Sequence, residues 1–405
     1  MLLTQGKTDC KPAEVGYDES RLDVLHKHFQ RLIDDGELQC ATYCLSRKGK
    51  VFAHGGVGKK SFREDDNTPV QPDSPRWIAS ITKSFTAVAV MKLVEDGLTR
   101  LDVPVGQILP QFDTPPFNGI NLFHLLTHTS GLHADDGCFD NKYQTDYWKM
   151  IHAAYKLHDF EKNGEFDWLA AALGTIGSGL RAPIGSEWAY CSFGFTILGA
   201  VIEKLTGIHA HKFIEDEICK PLGMNDTVFW ENLTPDMAKH YIITDEDGEK
   251  DMENIINGVI EDDDKNSPSN KYNIPRTGGG LNGTAYDLVR FGNAMIYGGS
   301  FGGARILGRK AAEKMTTLSL KNVWNRCWNS ADPDRKYGIG FDMRHDLVFS
   351  FSQGTFFHEG AGACAFFADP KEEFVGAWIV PYARYDDWFP RPIYNTQLVA
   401  WSGLI

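Results

Sequence analysis

Arg76-Trp77-Ile78-Ala79-Ser80-Ile81-Thr82-Lys83 is the stretch on which the reading of this chain turns. From Ser80 the pattern becomes helical, with Phe85, Val88, Met91 and Val94 recurring on one face until Gly97 ends it. Residues three apart on a helix share a face, so the Lys83 amine can reach the Ser80 hydroxyl. A serine hydroxyl is a poor nucleophile until a base takes its proton. A lysine can be that base only where burial or nearby positive charge holds it partly neutral, and the apolar helix face offers such burial. Ser80 is the one serine in the chain with a lysine three places on. Taken alone, the pair also fits an ordinary surface helix.

Two further segments carry chemistry. In Pro183-Ile184-Gly185-Ser186-Glu187-Trp188-Ala189-Tyr190-Cys191-Ser192, Pro and Gly make a tight loop ahead of a helical run from Phe193 to Leu205. A phenol there can share a proton with a lysine and pass it to or from a serine; the plainer reading is a buried core tyrosine. His358-Glu359-Gly360-Ala361-Gly362-Ala363 leads into a hairpin near the C-terminus. Its small residues let backbone approach a ligand closely, and a free N–H there can join an oxyanion hole. Its plainer reading is a glycine-rich turn between strands.

Taken together and in this order, the Ser80/Lys83, Tyr190/Ser192 and His358/Gly360 motifs resemble the serine beta-lactamase-like superfamily, in its class C and penicillin-binding-protein-like esterase branch. The text between them resembles it too: His124-Leu125-Leu126-Thr127-His128-Thr129-Ser130-Gly131-Leu132, Pro221-Leu222-Gly223-Met224, Gly278-Gly279-Gly280-Leu281 and Tyr337-Gly338-Ile339-Gly340-Phe341. The resemblance covers about residues 20 to 400. It implies an α+β fold: an antiparallel sheet from both termini flanked by helices (1–79 and 270–405), a mostly helical domain (80–269), and the site between them. Ser80 is then the acylated nucleophile, and Lys83 and Tyr190 share the proton work. The N–H groups of Ser80 and Ala361 hold the oxyanion, Ser192 positions the substrate or the lysine, and His358 and Gly360 line the pocket from the sheet edge.

Two departures shift the expected substrate. Position 192 is Ser where beta-lactamases of this branch carry Asn, and the third motif begins with His358 rather than Lys. A fixed positive charge would recognise a substrate carboxylate, whereas a largely neutral His does so less well. An inward-facing Glu359 would weaken it further. The expectation is therefore a serine hydrolase or acyltransferase acting on a small acyl ester, with no metal and no organic cofactor. D-amino-acid amidase, D,D-peptidase or weak beta-lactamase activity, and a catalytically silent binding protein of this fold, are the alternatives.

The rest of the sequence is consistent with that class. The chain has 405 residues, of which 42% are hydrophobic and 23% charged, so it can bury a real core. The 41 Lys plus Arg against 54 Asp plus Glu leave a formal charge of −13, which disfavours nucleic acid or an anionic membrane as the main partner. The eight cysteines are scattered without a CxxC pair and read as reduced thiols. No signal-peptide core and no apolar run of about eighteen residues occur, so the expected location is cytoplasmic, without a membrane span; the oligomeric state is not legible.

Helices are expected at Asp18 to Asp35, Tyr286 to Tyr297 and Ile393 to Trp401. Strands are expected at Gln39 to Ser46, Val51 to His54, Tyr337 to Arg344, Leu347 to Phe351, Gly362 to Ala368 and Glu373 to Val380. The acidic stretch 244–270 reads as a solvated loop or, alternatively, a lid. Trp324, Trp328, Tyr382 and Trp388 are candidates for an apolar acyl pocket, with packing as the plainer reading. Gly298-Gly299-Ser300-Phe301-Gly302 matches a nucleophile elbow but lacks the strand-to-helix setting that motif needs. His124 and His128 stand at a metal-binding spacing, but Leu125 replaces the zincin glutamate; buried or hydrogen-bonded histidines are the expectation, and a zinc hydrolase is the outlying alternative.

Overall fold

The computed structural model describes residues 1–135, 137–139, 147–175, 179–259, 274–343, 350–362, 364–381 and 391–405. Seven strands form one antiparallel sheet: β1 (Leu3–Gln5), β2 (Cys40–Arg47), β3 (Lys50–Gly58), β4 (Asp342–Met343), β5 (Phe356–Gly360), β6 (Cys364–Asp369) and β7 (Phe374–Ile379). Their order is β1-β3-β2-β7-β6-β5-β4, so N-terminal and C-terminal strands meet where β2 pairs with β7. The helices that matter below are α1 (Ser20–Asp34), α2 (Thr82–Glu95), α3 (Ser192–Thr206), α4 (Glu246–Asn257), α5 (Ala285–Ile296) and α6 (Arg391–Trp401).

Side chains alternate across a strand, and here both faces are apolar because both are covered. On β6, Ala365 and Phe367 pack into an aromatic layer with Phe29 of α1 and Trp401 of α6. Cys364, Phe366 and Ala368 face the other way, into a core shared with Phe291 of α5 and Phe85 of α2. Gly292 lets α5 lie close on the sheet: a Cβ there would stand 2.6 Å from Val375 Cγ1. The Asp369 carboxylate closes the β6–β7 hairpin by accepting from the N–H groups of Lys371 and Glu372.

α2 is more deeply placed than its one-faced pattern suggests. Thr82 to Met91 are all buried, together with Leu93. Its polar residues are satisfied from within: Ser84 donates to the Gly340 carbonyl at 2.9 Å and Thr86 to the Thr277 carbonyl at 2.7 Å. A helix apolar on all sides belongs inside the molecule, and burial of α2 is what removes Lys83 from water.

Three sequence expectations change. The acidic stretch is not simply a loop, because α4 occupies Glu246–Asn257. The Asp245 side chain caps it by accepting from the Gly248 N–H at 2.7 Å, and the acidic residues of its first turn suit the helix dipole. Met252 packs beside Met237 and Tyr241, so the acidic composition marks the wet face of an amphipathic helix. The remainder, 260–270, lies outside the described residues. Of Tyr337 to Arg344, the described residues form a strand only at Asp342–Met343, and 344 lies outside them; Gly338 instead donates to Phe341 O in a turn, with Gly340 at φ +72°. In Leu347 to Phe351, Phe351 is not in a strand, and residues 347–349 are outside the described set. No described helix is long and apolar enough to cross a membrane.

Candidate active site

Ser80 sits in a short 3-10 turn, Ala79–Ile81, that feeds directly into α2. Ala79 just before it has φ +45°, a left-handed conformation that an alanine seldom adopts and that the surroundings must impose. Ile78 supplies that restraint: its N–H bonds Leu281 O at 3.0 Å, and its carbonyl accepts from Cys364 Sγ at 3.3 Å. Ser80 is therefore held between the start of α2 and the edge of β5.

Lys83 lies one turn on, fully buried. Its Nζ donates to Ser80 Oγ at 3.0 Å and to the Gly278 carbonyl at 2.6 Å, and stands 4.7 Å from the centre of the Tyr190 ring. Burial pushes the amine down to about 8, with Asp135 pulling weakly in the opposite direction. A substantial neutral fraction near neutrality is what a lysine base requires.

Tyr190 is half-buried and shares a hydrogen bond with Ser80; burial drives its phenol well above the ordinary value, and that bond opposes the shift. Its main chain is gripped on both sides. The N–H donates to Cys327 Sγ at 3.4 Å, and the carbonyl accepts from the Asp135 N–H at 2.8 Å. His128 packs against its ring at 4.6 Å, and Trp328 at 5.4 Å.

Ser192 is committed elsewhere. Asp135 accepts from both its N–H, at 2.6 Å, and its Oγ, at 2.5 Å. This carboxylate at the N-terminus of α3 thus ties together the Tyr190–Ser192 segment. Sequence reasoning did not single out Asp135; an acidic residue 55 positions from the segment it holds leaves no local signal. A second support was missed as well. Glu231 Oε1 pairs with His211 Nδ1 at 2.5 Å, and His211 Nε2 accepts from the Arg276 N–H at 2.7 Å. That chain anchors the loop whose Gly278 carbonyl holds Lys83.

The sheet side differs. His358 is buried on β5, where its Nδ1 donates to the Glu359 carbonyl at 2.7 Å. Burial, and then the nearby Lys83 charge, push the imidazole down to about 3, so it is neutral. Glu359 points to the opposite face and accepts from the Tyr394 hydroxyl of α6, so its carboxylate does not face Lys83. At Gly360 a Cβ would meet Ile78 O at 2.3 Å; only glycine lets β5 approach the Ser80 turn. Ala361 follows directly, half-buried, and Ala363 is outside the described residues.

The two histidines at metal spacing have other duties. His128 is buried, its Nδ1 accepts from the Cys191 N–H at 3.0 Å, and burial holds its pKa far down. His124 Nδ1 accepts from the Asn121 N–H at 3.2 Å in a helix cap. Among the described residues the one metal-sized cluster is His209, His211 and Glu231, which does not include them. Since His211 Nε2 accepts from a backbone N–H, its Nδ1 carries the proton given to Glu231 and has no lone pair free for an ion. Of the aromatic candidates, Trp328 lies against Tyr190 and Trp324 stacks with Arg326, while Tyr382 and Trp388 lie outside the described residues.

A family model described as Beta-lactamase matches residues 25–386. "Penicillin-binding protein 4*" of Bacillus subtilis (strain 168) is 30% identical over 219 residues, covering 53% of this chain and 44% of that protein. "Esterase EstB" of Burkholderia gladioli is 29% identical over 225 residues, covering 52% of this chain and 51% of that protein. The chain thus spans about half the length of these curated relatives. The solved structure titled "EstCE1, a hydrolase with promiscuous acyltransferase activity" superposes with a TM-score of 0.70 at 18% identity, over 95% of this chain and 99% of that one.

Proposed function

The chain belongs to the beta-lactamase family, and from that premise we propose that it is a serine hydrolase or acyltransferase that cleaves carboxylic esters through a covalent acyl-Ser80 intermediate. The observation that carries this reading is the buried Lys83 amine, lowered to about 8 and 3.0 Å from Ser80 Oγ. Burying a lysine is costly unless the environment is built for it, and this one is bonded directly to Ser80 Oγ.

The neutral amine takes the Ser80 proton as Oγ attacks the ester carbonyl. The N–H groups of Ser80 and Ala361 receive the developing oxyanion, a contribution of about 3 kcal/mol per donor in such sites. Tyr190, bonded to Ser80, relays the proton to the leaving alkoxide. Water, or an alcohol in the transfer reaction, then deacylates Ser80 with the same groups acting in reverse. Asp135 and Ser192 hold Tyr190 in register rather than touching the acyl group.

The neutral His358 favours esters over substrates that bear a carboxylate. An imidazole whose Nδ1 is engaged by a backbone carbonyl offers Nε2 as an acceptor, not a fixed cation. The esterase named among the relatives supports the same substrate class.

The test is p-nitrophenyl butyrate turnover by the wild type and by Ser80→Ala. A loss on the order of 10³-fold or more is expected, with an acyl mass on Ser80 trapped from the wild type. Equal rates in the two proteins would overturn the assignment. Turnover of a D-peptide amide or a beta-lactam in preference to the ester would replace the substrate class.

A further inference from the structure

We propose that Cys138 and Cys327 are a peroxide-reactive thiol pair whose disulfide, formed beneath Tyr190, switches the site off. This rests on the reading of Tyr190 as part of the active site. The sequence pattern had treated all eight cysteines alike, as scattered reduced thiols, and as they stand all are free.

The geometry is specific to these two. Cys327 Sγ accepts from the Tyr190 N–H at 3.4 Å, while Cys138 Sγ donates to the Tyr190 carbonyl at 3.9 Å. The two thiols therefore flank one residue, and each is near enough to shift the other's pKa. Their main chains are also joined, since the Trp328 N–H donates to Cys138 O at 2.8 Å. A disulfide needs its Cα atoms about 4–7 Å apart, and this hydrogen bond brings the residue after Cys327 directly against Cys138. Both thiols are buried, yet Gly137 beside one is exposed and Trp328 beside the other keeps 40% of its surface in solvent. Cys138 is 2% and Cys327 0% exposed, so only a small neutral oxidant such as hydrogen peroxide suits this pair.

The surroundings divide the roles. The neighbouring Cys138 thiol first, then the Tyr190 N–H and the charges of Arg181 and Arg335, draw the Cys327 thiol below its ordinary range despite burial, and Cys138 is pushed up. Cys327 thiolate attacks one peroxide oxygen: an S–O bond forms, the O–O bond breaks, and the departing hydroxide takes up the thiol's proton as water. Cys138 then attacks the sulfenic sulfur: an S–S bond forms, the S–O bond breaks, and the second hydroxide leaves as water with the Cys138 proton. Two thiols lose two electrons and one hydrogen peroxide becomes two waters.

The bond removes the S–H donor to the Tyr190 carbonyl and pulls the acceptor from its N–H. Tyr190 loses both sulfur contacts at once, and its phenol moves off Ser80.

The experiment treats the folded full chain with hydrogen peroxide and reads two things. Non-reducing peptide mapping is expected to show a Cys138–Cys327 cross-link. Ester turnover is expected to fall at least fivefold and to recover with dithiothreitol. Cys138→Ser and Cys327→Ser, each compared with its own untreated rate, are expected to keep that rate after peroxide. The map needs no substrate, so an enzyme inert towards esters sinks the ester reading while the map still decides the thiol pair; labelling of Ser80 by a fluorophosphonate then replaces turnover. Absence of the cross-link, or a cross-link that leaves the rate unchanged, overturns the proposal.

Discussion

The two sides of the site, the start of α2 and the edge of β5, bury their polar groups in opposite ways. On the α2 side Lys83 is placed against Ser80 Oγ, Gly278 O and the Tyr190 ring, so an ionisable amine is kept close to the point where it changes charge. On the β5 side His358 is buried with one backbone partner and driven to about 3, so its charge is absent throughout the working range. Desolvation acts on both, but a lysine starts near 10.5 and a histidine near 6.5. The same penalty brings one group into play and retires the other. One side holds an amine close to its titration point, and the other a neutral imidazole.

The largest break in that comparison is Lys83→Ala, which should lower kcat/KM on the order of 10³-fold. In the wild type the rate should climb as pH rises through about 8, because only the neutral amine accepts the proton. A profile flat between pH 6 and 9 would remove Lys83 from the base role. Stability carries the same sign: with its folded pKa below the unfolded one, Lys83 binds more protons unfolded, so stability should increase as pH rises from about 8 towards 10.5.

A smaller effect is expected of Asp135→Asn, about tenfold in kcat. Its carboxylate holds Ser192 and also raises the Lys83 pKa. The variant should therefore shift the acid limb to lower pH, a change that simple loosening of the loop would not produce. An unmoved limb would leave Asp135 a purely structural role. The smallest effect belongs to Glu359→Gln. Because that carboxylate faces Tyr394 and not Lys83, kcat/KM should stay within about twofold, while the loss of a charge-assisted bond costs about 1 kcal/mol in a thermal melt. A large loss of activity would mean that Glu359 reaches the site after all.

Local patterns made much of this legible. Three-residue spacing foretold that Ser80 and Lys83 meet, and the strand-like runs Gly362 to Ala368 and Glu373 to Val380 foretold the β6–β7 hairpin. α4 was hidden because its acidic outer face dominates the composition of its segment, and the apolar positions that anchor it are few. The strand expected from Tyr337 shrank because Gly338 and Gly340 close a turn against α2 instead of pairing. Asp135, His211 and Glu231 were not legible, since each acts on backbone far along the chain.

What the sequence determined by itself is therefore the Ser80–Lys83 pair, whose members lie three residues apart, and the order of the motifs. Tertiary structure alone decided the electrostatic state of those parts. Whether Lys83 is partly neutral, whether His358 can charge, which way Glu359 faces, and which two of eight cysteines lie together all depend on what is buried against them. Desolvation and Coulomb terms sum over neighbours in space, and most of those neighbours are brought in from distant chain segments.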